Sequence, residues 1–253
     1  MDNLTFDPSV FQYDELKLFY KEPYKVNDYI IISQPSIQDI IEYGEREYYQ
    51  TVGLLCSTPS DMKVVLWDEG KDWNKVSEFE LFTWFIGSLP PEQTGILFGD
   101  LDFRKFLKVQ KKDTGELALY DPEHDWLIDD LIYHKMVSYL RKIHEMSYKP
   151  MKVKGKQAKL AIIMRDRARM GYEKDKPYES QLKNLISAML VYPGFKYNKN
   201  ELRDCGIYEF MDAVKRSQLF VSTSALFNGA YSGMLDTSKI NNKEFNWLRD
   251  MNS

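Results

Sequence analysis

Cysteine is scarce in this chain. Its 253 residues hold two, Cys56 and Cys205, and neither sits in a CxxC or beside a histidine. Two buried or half-buried thiols in a reducing compartment are therefore expected, with a pairing between them left open. Histidine is almost as rare. His124, His134 and His144 stand ten residues apart, and ten residues turn a helix by about 280°, so they share no face. Asp130 and His134 have the i,i+4 reach of two metal ligands, but no third ligand follows them. Ordinary surface or half-buried side chains are the preferred reading. Long apolar runs are missing too. Stretches such as Tyr29–Ile32 and Leu160–Met164 are far too short to span a bilayer. The opening MDNLTFDPSVFQYDELK has no basic start followed by an apolar run, so no signal peptide and a cytosolic protein are expected.

Chemical motifs are absent as well. There is no GxSxG, GxGxxG, P-loop, HExxH or DxDxDG, each of which has a mechanical reason for its spacing. The GDLD at 99–102 puts Asp100 and Asp102 two residues apart. On a strand they would share a side, as in some magnesium sites, but a Gly/Asp-rich turn is the commoner use. No catalytic, metal-ligating or cofactor-binding residue is assigned, and a non-enzymatic role is expected.

Aromatic residues are abundant: 17 Tyr, 14 Phe and 5 Trp. Such residues supply both cores and binding surfaces, and a long disordered chain would be poor in them. Charge is unevenly spread. The formal net charge is -4, yet Lys149 to Lys176 carries ten Lys/Arg against three Asp/Glu. That stretch is +7, so the remainder must be -11. Its first part, KPMKVKGKQAK (149–159), has five lysines and no acid. With Pro150 and Gly155 it reads as a solvated basic linker facing an acidic protein surface or the acidic part of a neighbouring copy. Nucleic acid is disfavoured, because few aromatics interleave the cations.

The periodicity predicts an irregular arm over 1–14 and a hairpin of two β-rich runs around Glu22-Pro23. A helix follows, capped at Ser36 and interrupted at Gly44, where a close packing contact is expected. A short helix opens at Ser60 or Asp61 and closes at Gly70. A third starts near Ser77, is apolar almost all round, and stops at Pro90-Pro91. The Asp113-Thr114-Gly115 turn predicts a second hairpin. The longest helix is expected to start with Asp121 as cap and Pro122 at its first position. Its acids come early and its bases late, matching the helix dipole. Beyond the linker, helices are expected over 159–172, 178–192 and 206–231 (one or two), with a short last one.

The stretch SQPSIQDIIEYGEREYYQTVGLLCSTPSDMKVVLWDEGKDWNKVSEFELF (33–82) and the later FNGAYSGMLDTSKINNKEFNWLRDM (227–251) resemble proteins encoded in the tail-gene region of bacteriophages and prophages of Gram-positive hosts. Such proteins lie near the tape-measure gene and are described as tail assembly chaperones or tail-associated structural proteins. The resemblance implies a factor that binds other phage tail proteins, the tape-measure protein among them, in the host cytoplasm, with no cofactor and no membrane. A structural virion component (connector or baseplate part) and a nucleic-acid-binding phage protein using Lys149–Lys176 are the alternatives. A chaperone of this kind needs exposed aromatic or Met-rich surface able to hold amphipathic helices. The candidate partner-binding residues are Phe79, Phe82, Trp84 and Phe85, whose other reading is plain core, together with Lys152, Lys154, Lys156, Lys159, Arg165 and Arg169. The expected fold is α+β and mostly α. A mixed part over 1–148 combines two small β-hairpins with helices, a basic linker covers 149–156, and a helical bundle covers 157–253.

Overall fold

The computed structural model describes residues 11–249. The arm expected over 1–14 lies mostly outside them, and residues 11–14 form no regular element. The first element corrects an expectation. Leu16–Phe19 was expected in a strand and lies in helix α1 (Glu15–Phe19). Asp14 decides it, accepting from the Leu16 and Lys17 N–H groups at 3.0 and 3.2 Å, which satisfies donors a strand would have paired elsewhere. The hairpin forms after Pro23 instead: β1 (Tyr24–Lys25) pairs antiparallel with β2 (Ile31–Ile32). The Asn27 carboxamide shapes the turn by accepting from the Tyr29 and Ile30 N–H groups.

A full capping box at Ser36 and Asp39 opens α2 (Ile37–Tyr43). Gly44 then breaks the helix rather than bending it, with φ at 104°, and α3 (Glu45–Leu55) starts afresh. No neighbouring element presses on Gly44; the nearest atoms to a Cβ placed there belong to Glu47. Backbone freedom, not close packing, is why glycine sits here. Helix α4 (Lys63–Asp68) begins after Met62, without a side-chain cap. Ser60 and Asp61, the expected openers, belong to the preceding turn, where Asp61 accepts from the Thr58 N–H and hydroxyl at 2.8 and 2.7 Å. Ser77 caps α5 (Glu78–Phe85) as expected. Pro91 does more than stop it, because it occupies the first turn of a further helix, α6 (Pro91–Phe98), where its missing N–H costs nothing.

β3 (Leu107–Gln110) and β4 (Leu117–Asp121) flank the expected Asp113–Gly115 turn. A third strand, β5 (Trp126–Ile128), joins them antiparallel where the long helix was expected to begin. Asp121 is the cause. Its carboxylate accepts from the Glu123 N–H at 2.9 Å and contacts the His124 ring at 2.7 Å, and Asp125 adopts a left-handed φ of 58°. The chain reverses instead of coiling. Helix α7 (Asp130–Ile143) is capped eight residues later by Asp129. It keeps the acid-to-base polarity, with Asp130 first and Arg141 and Lys142 last.

The rest is helical: α8 (Lys156–Lys174), α9 (Gln181–Val191), α10 (Glu201–Asp204) and α11 (Ile207–Tyr231), followed by short 3-10 turns. At 25 residues α11, one unbroken helix, is longer than α7. These helices dock on first-half elements: α8 on α4, α10 on α2, α11 on α1. A backbone clasp fixes that arrangement. The Ile37 N–H donates to the Cys205 carbonyl at 3.0 Å and the Ile207 N–H to the Pro35 carbonyl at 3.1 Å. Between them the buried Gln34 amide donates to the Leu18 carbonyl and accepts from the Tyr208 N–H. One apolar core therefore runs from Leu18 through Phe82 and Tyr139 to Val214. A smaller cluster gathers Val64, Leu66, Trp73, Leu81 and Ile163. Both cysteines are free and buried. Burial pushes the Cys56 thiol up to about 12 and the Cys205 thiol higher still, so neither is a nucleophile near neutral pH. Among the described residues no helix is long and apolar enough to cross a membrane.

Candidate interaction surfaces

The aromatic helix α5 faces inward. Phe79 and Phe82 are 2% and 1% exposed, packed on Tyr133, with Phe82 edge-on to Phe103. As partner-binding residues they are corrected to core. A helix apolar almost all round has no polar face to turn to water, so the fold buries it. Trp84 and Phe85 are half-buried, and the Lys71 ammonium sits 4.0 Å from the Trp84 ring centre.

The basic segment is not a free connector. The Trp73 indole donates to the Met151 carbonyl at 3.3 Å, the Met151 N–H donates to Ser60 Oγ at 3.1 Å, and the Asn74 amide donates to the Val153 carbonyl at 2.7 Å. These bonds lay the strand-like stretch across the small cluster, with Val153 packed against it. Lys152, Lys154 and Lys156 point outward and are exposed. Lys159 does not. It meets the Asp72 carboxylate at 2.6 Å and lies over the Trp73 ring, so it serves the fold. Its ammonium holds the Asp72 carboxyl below its ordinary range.

Helix α8 is fastened by one stretch. Ile163 is fully buried among Val64, Leu66 and Trp73. The Lys63 ammonium meets the Asp166 carboxylate at 2.7 Å and holds its carboxyl below the ordinary value. Arg167 pairs with Asp68. From Arg167 to Lys174 every residue is exposed. The outward side carries Leu160 and Met164, four apart, and further along Tyr172, all exposed; Met170, also exposed, is seven residues after Ile163 and shares its side of the helix. Lys156, Arg165 and Arg169 rim it and are also exposed.

A cavity of about 1110 Å³ opens between the segment from Phe11 to Phe19, the end of α7 and the first part of α11, with Leu248 and Arg249 at its edge. Its acids face cations: Glu15 meets Lys142 at 2.9 Å and Glu145 meets Lys215 at 2.8 Å. Asp212, raised by burial, is opposed by Arg216 and Lys215. The Tyr208 hydroxyl donates to Glu15 at 2.8 Å. Deeper, Arg141 donates to Glu78 and to the Cys56 carbonyl at 3.0 and 2.9 Å and stacks over Tyr148. This network ties three segments together; Glu15, Glu78 and Glu145 are each held by a cation, whereas Asp212 is raised by burial.

Among the described residues, Asp121, Glu123 and His124 bring ligand atoms within 4.8 Å of one another. Lys105 holds Glu123 at 2.7 Å and Trp126 stacks on His124, so that chemistry is already occupied by protein groups. His134 and Asp130 approach at 3.5 Å. Asp102 of the GDLD turn accepts from the Arg104 guanidinium at 2.8 Å.

One surface was not anticipated. Beyond Lys215, α11 overhangs the body and the chain folds back along it. The Thr223 hydroxyl donates to the Glu244 carbonyl, Arg216 donates to the Trp247 carbonyl, and Phe220 meets Trp247 edge-on. Phe227 lies between Phe245 and Tyr231. Phe220, Phe227 and Tyr231 are spaced seven and four apart, one helical stripe. The signal in the sequence was scarcity of charge: the only Asp, Glu, Lys, Arg or His from Ser217 to Leu248 are Asp236, Lys239, Lys243 and Glu244.

The profile of one protein family, described as the YomV second domain, matches residues 173–252. That is 80 of the 253 residues, starting in the last turn of α8 and taking in α9, α10 and α11. No curated protein and no solved structure matches the chain.

Proposed function

We propose that this chain is a chaperone-like phage tail-assembly factor that works without chemistry, holding a segment of another tail protein, the tape-measure protein first, against α8. The observation that carries this reading is the outward side of α8. Leu160, Met164 and Tyr172 are exposed on it, with Lys156 on one flank and Arg165 and Arg169 on the other. A helix anchored by one stretch gains little from its own hydrogen bonds in water. Covering Leu160 and Met164 with an apolar partner stripe would contribute about 1.5–3 kcal/mol each. The rim selects the partner, since an amphipathic helix with acids flanking its apolar stripe meets cations on both sides. Lys152 and Lys154 extend the positive field and would raise the association rate at low salt. The resemblance of residues 33–82 and 227–251 to tail-region proteins supplies the class of partner.

The test is co-expression with a tape-measure protein, read by size exclusion. A co-eluting soluble complex is expected, lost when Met164→Asp and Arg165→Glu are combined. A tape measure that precipitates equally with and without this chain would overturn the reading. So would a salt-dependent shift of DNA or RNA abolished by neutralising Lys152, Lys154 and Lys156, with no protein complex formed.

A further inference from the structure

We infer that the charge-poor arm formed by the overhanging end of α11 and the returning C-terminal segment is a self-association surface, and that a second copy of this chain covers it. The inference is independent of the role given to α8. Phe220, Val221, Phe227, Tyr231, Met234, Leu235, Trp247 and Leu248 are all exposed, Tyr231 and Met234 at 85% each. Together these side chains offer on the order of 800 Å² of apolar surface, about what each partner contributes to a standard-size interface. Phe220, Phe227 and Tyr231 lie on one side of the helix, with Trp247 against Phe220, while Leu235 lies over Gly229 on the other; so many exposed apolar side chains gathered on one short arm call for a partner.

The occupant follows from the charge. In a two-fold contact every group meets its own image or that of a neighbour, so a surface with a net charge repels itself. The stretch Ser217–Leu248 carries two acids and two bases, a net of zero, in a chain of net charge -4. The helical part, Ser217–Tyr231, carries none at all. A strongly acidic or basic partner would find no net charge of opposite sign there and none at all on the helix, whereas a second copy brings an equally uncharged stripe. The overhang from Lys215 to Tyr231 is about 25 Å long at 1.5 Å per residue, enough for two such helices to cross and interleave Phe220, Phe227 and Tyr231. The small side chain of Ser224 lies between Phe220 and Phe227 on the same stripe and lets the helices approach closely. Trp247, edge-on to Phe220, supplies an aromatic anchor of the kind that dominates interface energies.

Sedimentation velocity on the full chain across a micromolar concentration range tests this. A species of twice the 29.9 kDa monomer mass is expected. Combining Phe220→Glu with Tyr231→Glu should weaken its association about 100-fold or more. Circular dichroism should be unchanged, because both side chains are already exposed. Since that pair could still disturb the arm, a second variant is read covalently. Under mild oxidation Ser224→Cys should give a disulfide-linked dimer and Lys112→Cys, on the sheet turn, should not; the native thiols are buried and stay silent. A monomer at every concentration with no Ser224→Cys cross-link overturns the inference. A dimer that survives the double variant but dissociates on Arg165→Glu also overturns it, and would place the contact on α8.

Discussion

Lys63 and Asp166 meet at 2.7 Å with side chains 11% and 7% exposed, joining α4 to α8 across a hundred residues of chain. The Lys63 ammonium also donates to the Ser60 carbonyl at 2.8 Å. Asp166→Asn keeps the volume and removes the charge, leaving a shielded ammonium with half its partners. Breaking one side of a shielded pair costs more than the pair gains over an apolar replacement. A loss of about 2 kcal/mol is expected in denaturant unfolding, together with faster proteolysis between Lys154 and Lys176. Unchanged cleavage there would mean that Ile163 alone holds the helix.

Phe82→Ala separates core from interface. Phe82 is enclosed by Phe85, Phe103 and Tyr133, so truncation opens a cavity and should cost about 3–5 kcal/mol. Trp84→Ala, at a half-buried site under Lys71, should cost clearly less. Were α5 a partner-binding face, the order would reverse in a binding assay while stability barely moved.

Much of this architecture is legible in local chemistry. Ser36, Ser77 and Ser180 each cap the helix that follows them, and Asp113-Thr114-Gly115 does turn a hairpin. The failures share a cause. Asp14 and Asp121 can each cap a helix or stabilise a turn, and nothing within a few residues says which. Asp14 capped, while Asp121 turned the chain because β5 had a sheet edge to join. Pro91 marks both an end and a beginning, and a Pro-Pro pair signals the first far more strongly than the second. For the surfaces, exposure of Lys152, Lys154, Lys156, Arg165 and Arg169 follows from their type. The pairing of Lys159 with Asp72, 87 residues away, is set by tertiary docking and leaves no trace in spacing.

Gly44 and Gly53 should respond oppositely to alanine. Gly44 holds φ at 104°, a conformation that costs a side-chain-bearing residue roughly 1–2 kcal/mol. Gly44→Ala should destabilise by about that amount; the Glu47 carboxylate 2.7 Å from the added methyl is the end of a mobile side chain and can move away. Gly53 lies inside α3 with nothing within 4 Å of an added Cβ. There alanine should stabilise by about 0.5–1 kcal/mol through helix propensity. Thermal melts of the two variants decide the matter.

His144 makes stability depend on pH from about 6.5 downward, a window that meets the carboxylates only at its acid end. The Tyr48 hydroxyl donates to its Nε2 at 2.5 Å and its Nδ1–H donates to the Leu140 carbonyl at 2.7 Å, a neutral imidazole satisfied at both nitrogens. Burial pulls its pKa down from 6.5 to about 4. The unfolded chain therefore takes up a proton as pH falls from about 6.5 towards 4 while the folded chain does not, and stability falls over that window. About 2 kcal/mol should be lost between pH 6.5 and 4.5, from about 1.4 kcal/mol per pH unit across the window. His144→Gln should be less stable than the parent at pH 7, because glutamine fills the site poorly, yet lose clearly less stability across the same window, where only carboxylates such as Asp212 still titrate. Equal slopes for the two proteins would show that His144 exchanges protons in the folded state as freely as in water, and that the Tyr48 contact does not hold it neutral.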